Sequence, residues 1–208
     1  RKDHTNPYIK VGTKKETPKS RNHMRLKLTE EETSDIRRMR DLPEDERVLI
    51  DVRSEKVSTD GKNILIGCSD GHQIFDLVGN HMKFLMNGNA AECCCHAHLL
   101  NGGALPLSPT CPDNDAKITA EAYLINTARS FDVKGANTIA LYTHAPCGIA
   151  RHCGFSFEET LHHLFEAKER VKKHFAGKIG LKVICLCQVD YGTKQLTYHI
   201  PRKRWKTW

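Results

Sequence analysis

The chain has 208 residues, of which 39% are hydrophobic and 27% are charged. This composition is typical of a folded globular protein and excludes wholesale disorder. No run of 18 apolar residues is present, so we expect no membrane span. The net charge of +7 comes from the two ends, because residues 1–28 hold nine basic and two acidic residues and residues 201–208 hold four basic and no acidic ones.

The sequence predicts three segments: a basic N-terminal arm and helix at 1–42, a domain at 43–200, and a basic tail at 201–208. The arm is rich in polar and basic residues, which predicts an extended conformation. Thr29 and Glu32 form a capping-box pattern that begins a helix ending near Leu42, because Pro43 stops it. Residues 47–53 fit either a short strand or a helical turn.

Strand-like and helix-like patterns alternate through the rest of the chain. The apolar runs predict strands at 63–67, 92–100, 137–142, 181–189 and 195–200. The helical patterns lie at 74–86, 119–131 and 156–175. The first helix is expected to end at the Asn87-Gly88 cap, and the second to turn Ala122, Ile125 and Ala128 inward. This alternation predicts an α/β fold with a mostly parallel central sheet and flanking helices.

The nine cysteines are many for this length, and their number is odd. They lie inside apolar runs or beside histidines rather than in the short, loop-rich pattern of a disulfide framework. This placement favours buried thiols and metal thiolates in a reducing compartment, and we therefore predict a cytoplasmic protein.

Two loops that follow predicted parallel strands combine cysteine with histidine. The first contains Cys68, Asp70 and His72, and the second contains His144 and Cys147. Loops at the carboxyl ends of parallel strands meet at one edge of the sheet. Two thiolates and one imidazole suit zinc, and three protein ligands leave a fourth position open for chemistry. The sequence therefore predicts a metal site built from Cys68, His144 and Cys147.

Other histidine and cysteine groups compete with this interpretation. On a strand, Cys94, His96 and His98 share one face, but alternate residues lie about 6.6 Å apart, too far for three ligands of one ion. We interpret that segment as a cysteine-rich core strand. Cys153 is an alternative ligand to Cys147, although the spacing from His144 favours Cys147. His152 is read as a surface residue, with proton transfer as the alternative.

The two loop motifs resemble those of the beta-class carbonic anhydrases, which carry C-x-D-x-R after their first core strand and H-x-x-C-G after their third. Here the first motif reads Cys68-Ser69-Asp70-Gly71-His72 and the second reads His144-Ala145-Pro146-Cys147-Gly148. The resemblance covers roughly residues 60–200. It implies Zn²⁺ held by the two cysteines and the histidine, and reversible hydration of carbon dioxide to bicarbonate by a zinc-bound hydroxide that Asp70 orients.

The sequence departs from this family at His72, which replaces the arginine that pairs with the aspartate. Histidine is shorter and lacks the two-pronged guanidinium. It leaves two expectations open: an enzyme with reduced or pH-dependent activity, or a non-catalytic zinc protein in which Asp70 closes the metal site and the basic ends bind a partner. Hydrolysis of a carbon dioxide analogue is a further alternative.

The resemblance also implies a homodimer or a higher homo-oligomer, with the N-terminal arm laid over the partner subunit. The C-terminal tail interleaves its basic residues with Trp205 and Trp208, a pattern that can stack on nucleic-acid bases. No nucleic-acid fold accompanies the tail and the middle of the chain is mildly acidic. We therefore do not expect a nucleic-acid function.

Overall fold

The computed structural model describes residues 25–54, 57, 59, 62–86, 94–113 and 115–208. The predicted extended arm up to residue 24, the proposed Asn87-Gly88 cap and Cys93 lie outside the described residues. Six strands form one sheet: β1 Ile50–Asp51, β2 Lys62–Cys68, β3 Cys94–Leu100, β4 Thr138–Ala145, β5 Lys182–Asp190 and β6 Gln195–His199. The α-helices are α1 Glu30–Arg40, α2 Ile74–Asn80, α3 Ala116–Lys134, α4 Gly148–His152, α5 Phe157–His174 and α6 Arg202–Thr207.

The strand order in the sheet is β1-β6-β5-β4-β2-β3. β3, β2, β4 and β5 run parallel to one another, whereas β6, toward the opposite edge, pairs antiparallel with both β5 and β1. Helices cover both faces of this sheet. The predicted α/β class, with a mostly parallel central sheet and flanking helices, is confirmed. None of the helices in the described part of the chain is long and apolar enough to cross a membrane.

The central strand β4 is buried along its whole length because helices pack on both of its faces. Ile139 and Leu141 point into the larger core cluster, which α3 and α5 cover. Ala140 and Tyr142 point into a second cluster, which Leu77 of α2 also joins. The carboxyl end of β4 is therefore held rigidly from both sides.

The predicted capping box at α1 forms, and the structure shows a second one at α5 that was not predicted. Ser156 accepts a hydrogen bond from the backbone N–H of Glu159, whose side chain in turn accepts one from the Ser156 N–H, and this pair begins α5. Thr29 and Glu32 do the same at α1. Apolar residues of α5 at helical spacing, including Leu161, are buried against the sheet.

The prediction that α3 turns Ala122, Ile125 and Ala128 inward is wrong. Ile125 is 52% exposed, and the helix instead buries the face that carries Tyr123, Leu124 and Phe131. The predicted face contained only one large side chain, because Ala122 and Ala128 contribute little apolar surface. The aromatic side chains bury more area, so they decide which face of the helix packs on the sheet.

The expectation of a core strand around residues 94–98 is also corrected, because β3 lies at the edge of the sheet. Its faces alternate as predicted. Cys95 and Leu99 pack toward the second core cluster, while the His96 and His98 rings lie on the other face, each within hydrogen-bond distance of the Ser130 hydroxyl.

The predicted helix at 74–86 changes type part-way along. α2 ends at Asn80, and a π-helical turn, His81–Leu85, continues it. This wider turn carries His81, which is fully buried, with its ring Nδ1 2.9 Å from the hydroxyl of Tyr142.

The C-terminal tail folds back on the chain. Within α6, the Trp205 ring stacks on Phe165 of α5 with ring centroids 5.3 Å apart. The guanidinium of Arg38 lies 4.9 Å from the centre of the Trp208 ring. The two tryptophans therefore help to cover the larger core cluster.

Candidate metal centre

The candidate site lies where the parallel strands β2 and β4 end side by side. Cys68 is the last residue of β2, and His144 is the last but one of β4. A cis peptide bond joins Ala145 to Pro146, and Cys147 then forms the N-cap of α4. The predicted meeting of two strand-end loops at one edge of the sheet therefore occurs in the structure.

The structure brings Cys68, His144 and Cys147 together. One ligand atom from each residue lies within 4.8 Å of the others. The three residues are 7%, 2% and 2% exposed, respectively. Across the described residues, this is the only cluster of three or more histidine, cysteine or acidic side chains with metal-like spacing.

The two thiols of this group face each other and shift each other's pKa in opposite directions. The pKa of Cys68 is lowered to about 4, chiefly because the Cys147 thiol donates a hydrogen bond to its sulfur, with the nearby His144 ring adding to the effect against the cost of burial. The pKa of Cys147 is raised because it faces Cys68 and is buried, although the backbone N–H groups of Ile149 and Ala150 partly offset this. When no cation is bound, the two thiols together therefore keep one proton.

His144 gives an independent test of whether a metal ion suits the site. Both ring nitrogens are buried and lack a hydrogen-bonding partner within the described structure. Unsatisfied buried polar atoms cost free energy and are rare in folded proteins. A cation bound to one nitrogen would remove part of that cost and would also neutralise the two facing sulfurs. Thiolate and imidazole are the preferred donors for zinc, so the residues present fit this ion.

Asp70 and His72 lie in the loop between β2 and α2, outside the three-residue group. The backbone carbonyl of Asp70 accepts hydrogen bonds from the N–H groups of Gln73 and Ile74, which fixes it at the start of α2. Its carboxylate Oδ1 accepts the backbone N–H of His72 at 2.9 Å. The link between the two residues therefore runs through the main chain of His72, while its ring is exposed.

The competing residues lie elsewhere. Cys153 is the C-cap of α4, at the opposite end of that helix from Cys147, and does not belong to the group. His152 is exposed beside it. The His96 and His98 ring centroids are 6.4 Å apart on the edge strand, and the side chain of Cys94 lies outside the described residues.

A set of glutamines beside the site escaped the sequence analysis. Gln188 of β5 lies opposite His144 in the parallel register and is fully buried. Its Nε2 donates to the backbone carbonyl of Gln73 at 2.9 Å and also lies 2.5 Å from Oε1 of Gln195. The side chain of Gln73 in turn donates to the carbonyl of Pro146 at 3.2 Å. These bonds fasten the two loops of the candidate site to each other and to β5.

Comparisons with known proteins do not assign the chain to a family. No protein-family model matches it, and no curated protein matches it. One similar solved structure is a mutant of the beta-carbonic anhydrase CafD from the filamentous fungus Aspergillus fumigatus. It has 12% sequence identity and a TM-score of 0.34, over 67% of this chain and 89% of that chain. A TM-score this low is below the range of chains that share a fold, so the similarity alone assigns neither fold nor activity.

Proposed function

We propose that the chain binds zinc through Cys68, His144 and Cys147 and catalyses the reversible hydration of carbon dioxide to bicarbonate. The observation that carries this proposal is the buried convergence of two thiols with an imidazole whose two nitrogens lack partners. The same three positions are those that the C-x-D and H-x-x-C-G motifs of the beta-class carbonic anhydrases imply. We therefore infer that the chain is a divergent relative of that family.

Zinc held there would supply a Lewis acid that makes a water molecule nucleophilic near neutral pH. The chain's own residues would supply orientation and exclusion of solvent. Asp70 is fixed at the start of α2 by its backbone hydrogen bonds, and its carboxylate would accept a hydrogen bond that orients the water. Carbon dioxide is small and neutral, and needs no charged recognition group.

The two functions that the sequence left open differ in whether Asp70 stays away from the metal. The exposed ring of His72 cannot grip the Asp70 carboxylate as a two-pronged guanidinium would. The main-chain N–H of His72 donates a hydrogen bond to Oδ1 of Asp70. We propose that this bond keeps Asp70 away from the metal and preserves a slower hydratase. In the alternative function, Asp70 would complete a closed zinc site with no catalysis.

Stopped-flow measurement of carbon dioxide hydration by the zinc-loaded chain, between about pH 6.5 and 9, tests this proposal. We expect one zinc per chain and hydration above the uncatalysed rate. Cys147→Ser should lose both zinc and activity. Cys153→Ser, which removes a thiol from the other end of α4, is the matched control and should keep both under reducing conditions.

Full zinc occupancy without hydration at any pH would refute the hydratase and support the closed, non-catalytic site. In that case His72→Arg is the decisive variant, because a guanidinium that pairs with Asp70 should release the metal position and restore hydration. Zinc retained by Cys147→Ser would instead refute the ligand assignment. We also propose a cytoplasmic location and a homodimer or higher homo-oligomer. Gel filtration with light scattering tests the oligomeric state.

A further inference from the structure

The described end of the N-terminal arm, residues 25–28, lies along the side of the sheet that carries the candidate metal centre. The guanidinium of Arg25 contacts Oδ2 of Asp190 through Nε at 2.7 Å and through Nη2 at 2.6 Å. Asp190 is the last residue of β5, which pairs in parallel with β4. The two strands end on the same side of the sheet, so Arg25 is attached beside the loop that leads from β4 to Cys147.

The same segment is also attached to α4, the helix that begins after Cys147. Nη2 of Arg151, on α4, donates a hydrogen bond to the backbone carbonyl of Lys27 at 2.5 Å. Between the two attachments, Cδ1 of Leu26 lies 3.8 Å from the position that a Cβ on Gly148 would occupy. Gly148 directly follows Cys147 in the chain. The segment therefore lies against the loop that supplies one of the candidate metal ligands.

Apolar packing holds only one end of this segment firmly. Leu28 packs against the larger core cluster, next to the start of α1. Leu26, in contrast, is 41% exposed, and a cavity of about 550 Å³ lies between the segment and the turn that follows β5. A segment with few buried apolar contacts opens at a low cost in free energy. The ion pair of Arg25 with Asp190 is therefore a main contact that keeps the segment in place.

This ion pair combines a buried anion with a partly exposed cation. The side chain of Asp190 is 2% exposed, whereas that of Arg25 is 42% exposed. The second carboxylate oxygen of Asp190 accepts the backbone N–H of Gly192 at 2.8 Å. Leaving a buried carboxylate without its cation costs free energy, which favours the closed arrangement. Water reaches the guanidinium side of the pair, so the contact can also be released.

We propose that residues 25–28 form a strap that closes over the candidate metal centre and limits the access of solutes to Cys68 and Cys147, with the Arg25–Asp190 ion pair as its latch. When the latch opens, the strap turns about the anchored Leu28 and uncovers the loop before α4. This inference is independent of the proposed function, because it concerns access to the two thiols whether or not the chain hydrates carbon dioxide.

The test compares thiol labelling in the full chain, reduced and free of metal. N-ethylmaleimide is added for short times, the chain is digested by trypsin and chymotrypsin together, and mass spectrometry gives the labelling of each cysteine. Arg25→Gln removes the latch, and Arg151→Gln removes the second attachment. Arg53→Gln is the matched control, because Arg53 pairs with Asp51 at 2.6 Å on the edge strand β1. The fully buried Cys187 of β5 reports general loosening of the fold.

We expect Cys68 and Cys147 to be labelled about tenfold faster in both strap variants, as the loss of a hydrogen bond to a charged group predicts. The labelling of Cys187 should not change, and Arg53→Gln should behave as the unmodified chain. Unchanged labelling of the two thiols in Arg25→Gln, or an increase that Arg53→Gln shares, would overturn the proposal. An equal increase at Cys187 would also overturn it, because the thiols would then be reached by unfolding rather than by opening of the strap.

Discussion

Replacing Gly103 with alanine should destabilise the fold at the edge of the candidate metal centre. Gly103 has φ +59°, and a Cβ built on it would lie 2.6 Å from the carbonyl oxygen of Tyr142 and 3.0 Å from the backbone nitrogen of Cys68. The first distance is far below any normal contact between these atoms, so the backbone must move. Either the Tyr142 backbone of β4 or the end of β2 that carries Cys68 must shift.

Two costs add in this variant. A left-handed backbone conformation costs a non-glycine residue about 1–2 kcal/mol. Moving the chain away from Tyr142 also breaks the hydrogen bond that the neighbouring Ala104 N–H donates to that carbonyl at 2.9 Å, a loss of about 1 kcal/mol. We therefore expect the free energy of unfolding to fall by about 2–3 kcal/mol, a large part of the roughly 5–15 kcal/mol that stabilises a typical domain.

Two other glycines separate these costs in urea unfolding experiments. Gly135 also has a left-handed φ of +63°, but its Cβ would meet nothing closer than the Lys62 Nζ at 3.8 Å. Gly135→Ala should therefore lose only the conformational part, about 1–2 kcal/mol. Gly71 meets nothing within 4 Å, and Gly71→Ala should leave the stability almost unchanged. Equal losses for Gly103→Ala and Gly135→Ala would refute the close-contact reasoning.

Three further predictions concern acid stability, a helix cap and the glutamine set. Burial lowers the pKa of His81 to about 4, so only the unfolded ring takes up a proton between pH 6.5 and that value. The free energy of unfolding should fall by about 3 kcal/mol across this range. Urea unfolding at several pH values should show that the stability of His81→Leu depends less steeply on pH; an unchanged pH dependence would contradict the role given to His81. Ser156→Ala should cost about 1 kcal/mol through the lost N-cap, and Ser156→Asp should keep the stability; equal losses in both would exclude the cap. Gln73→Leu removes the hydrogen bond to the Pro146 carbonyl and should weaken zinc binding about tenfold in chelator competition. Gln195 does not reach Pro146, so an equal effect of Gln195→Leu would argue against this specific contact.

The predictable part of the fold rests on local patterns. The apolar Ile64-Leu65-Ile66 run and the run that ends near His144 are buried strands because both faces are covered by helices. The carboxyl ends of parallel strands lie on the same side of a sheet, so the alternation of strands and helices places Cys68 and His144 on one side. That β2 and β4 are neighbours, which brings the two residues together, does not follow from the alternation.

The unpredicted part depends on contacts between distant residues. Strand order cannot be read from the sequence of β3 itself, which therefore looked like a core strand. The buried face of α3 depends on where Tyr123 finds space against the sheet, not on periodicity alone. Gln188 offered one signal, a polar residue inside an apolar strand. Its role needs Gln73 and Gln195, which the fold brings to it from other elements.

X-ray absorption spectroscopy at the zinc edge of the zinc-loaded chain tests the central claim most directly. Ligation by Cys68, His144 and Cys147 predicts two sulfur neighbours at about 2.3 Å and one nitrogen at about 2.0 Å, with a single oxygen completing four-coordination. Cys147→Ser should lose the zinc and with it this signal, whereas Cys153→Ser should keep both. A coordination sphere of oxygen and nitrogen without sulfur, or one unchanged by Cys147→Ser, would contradict the assignment of the metal centre.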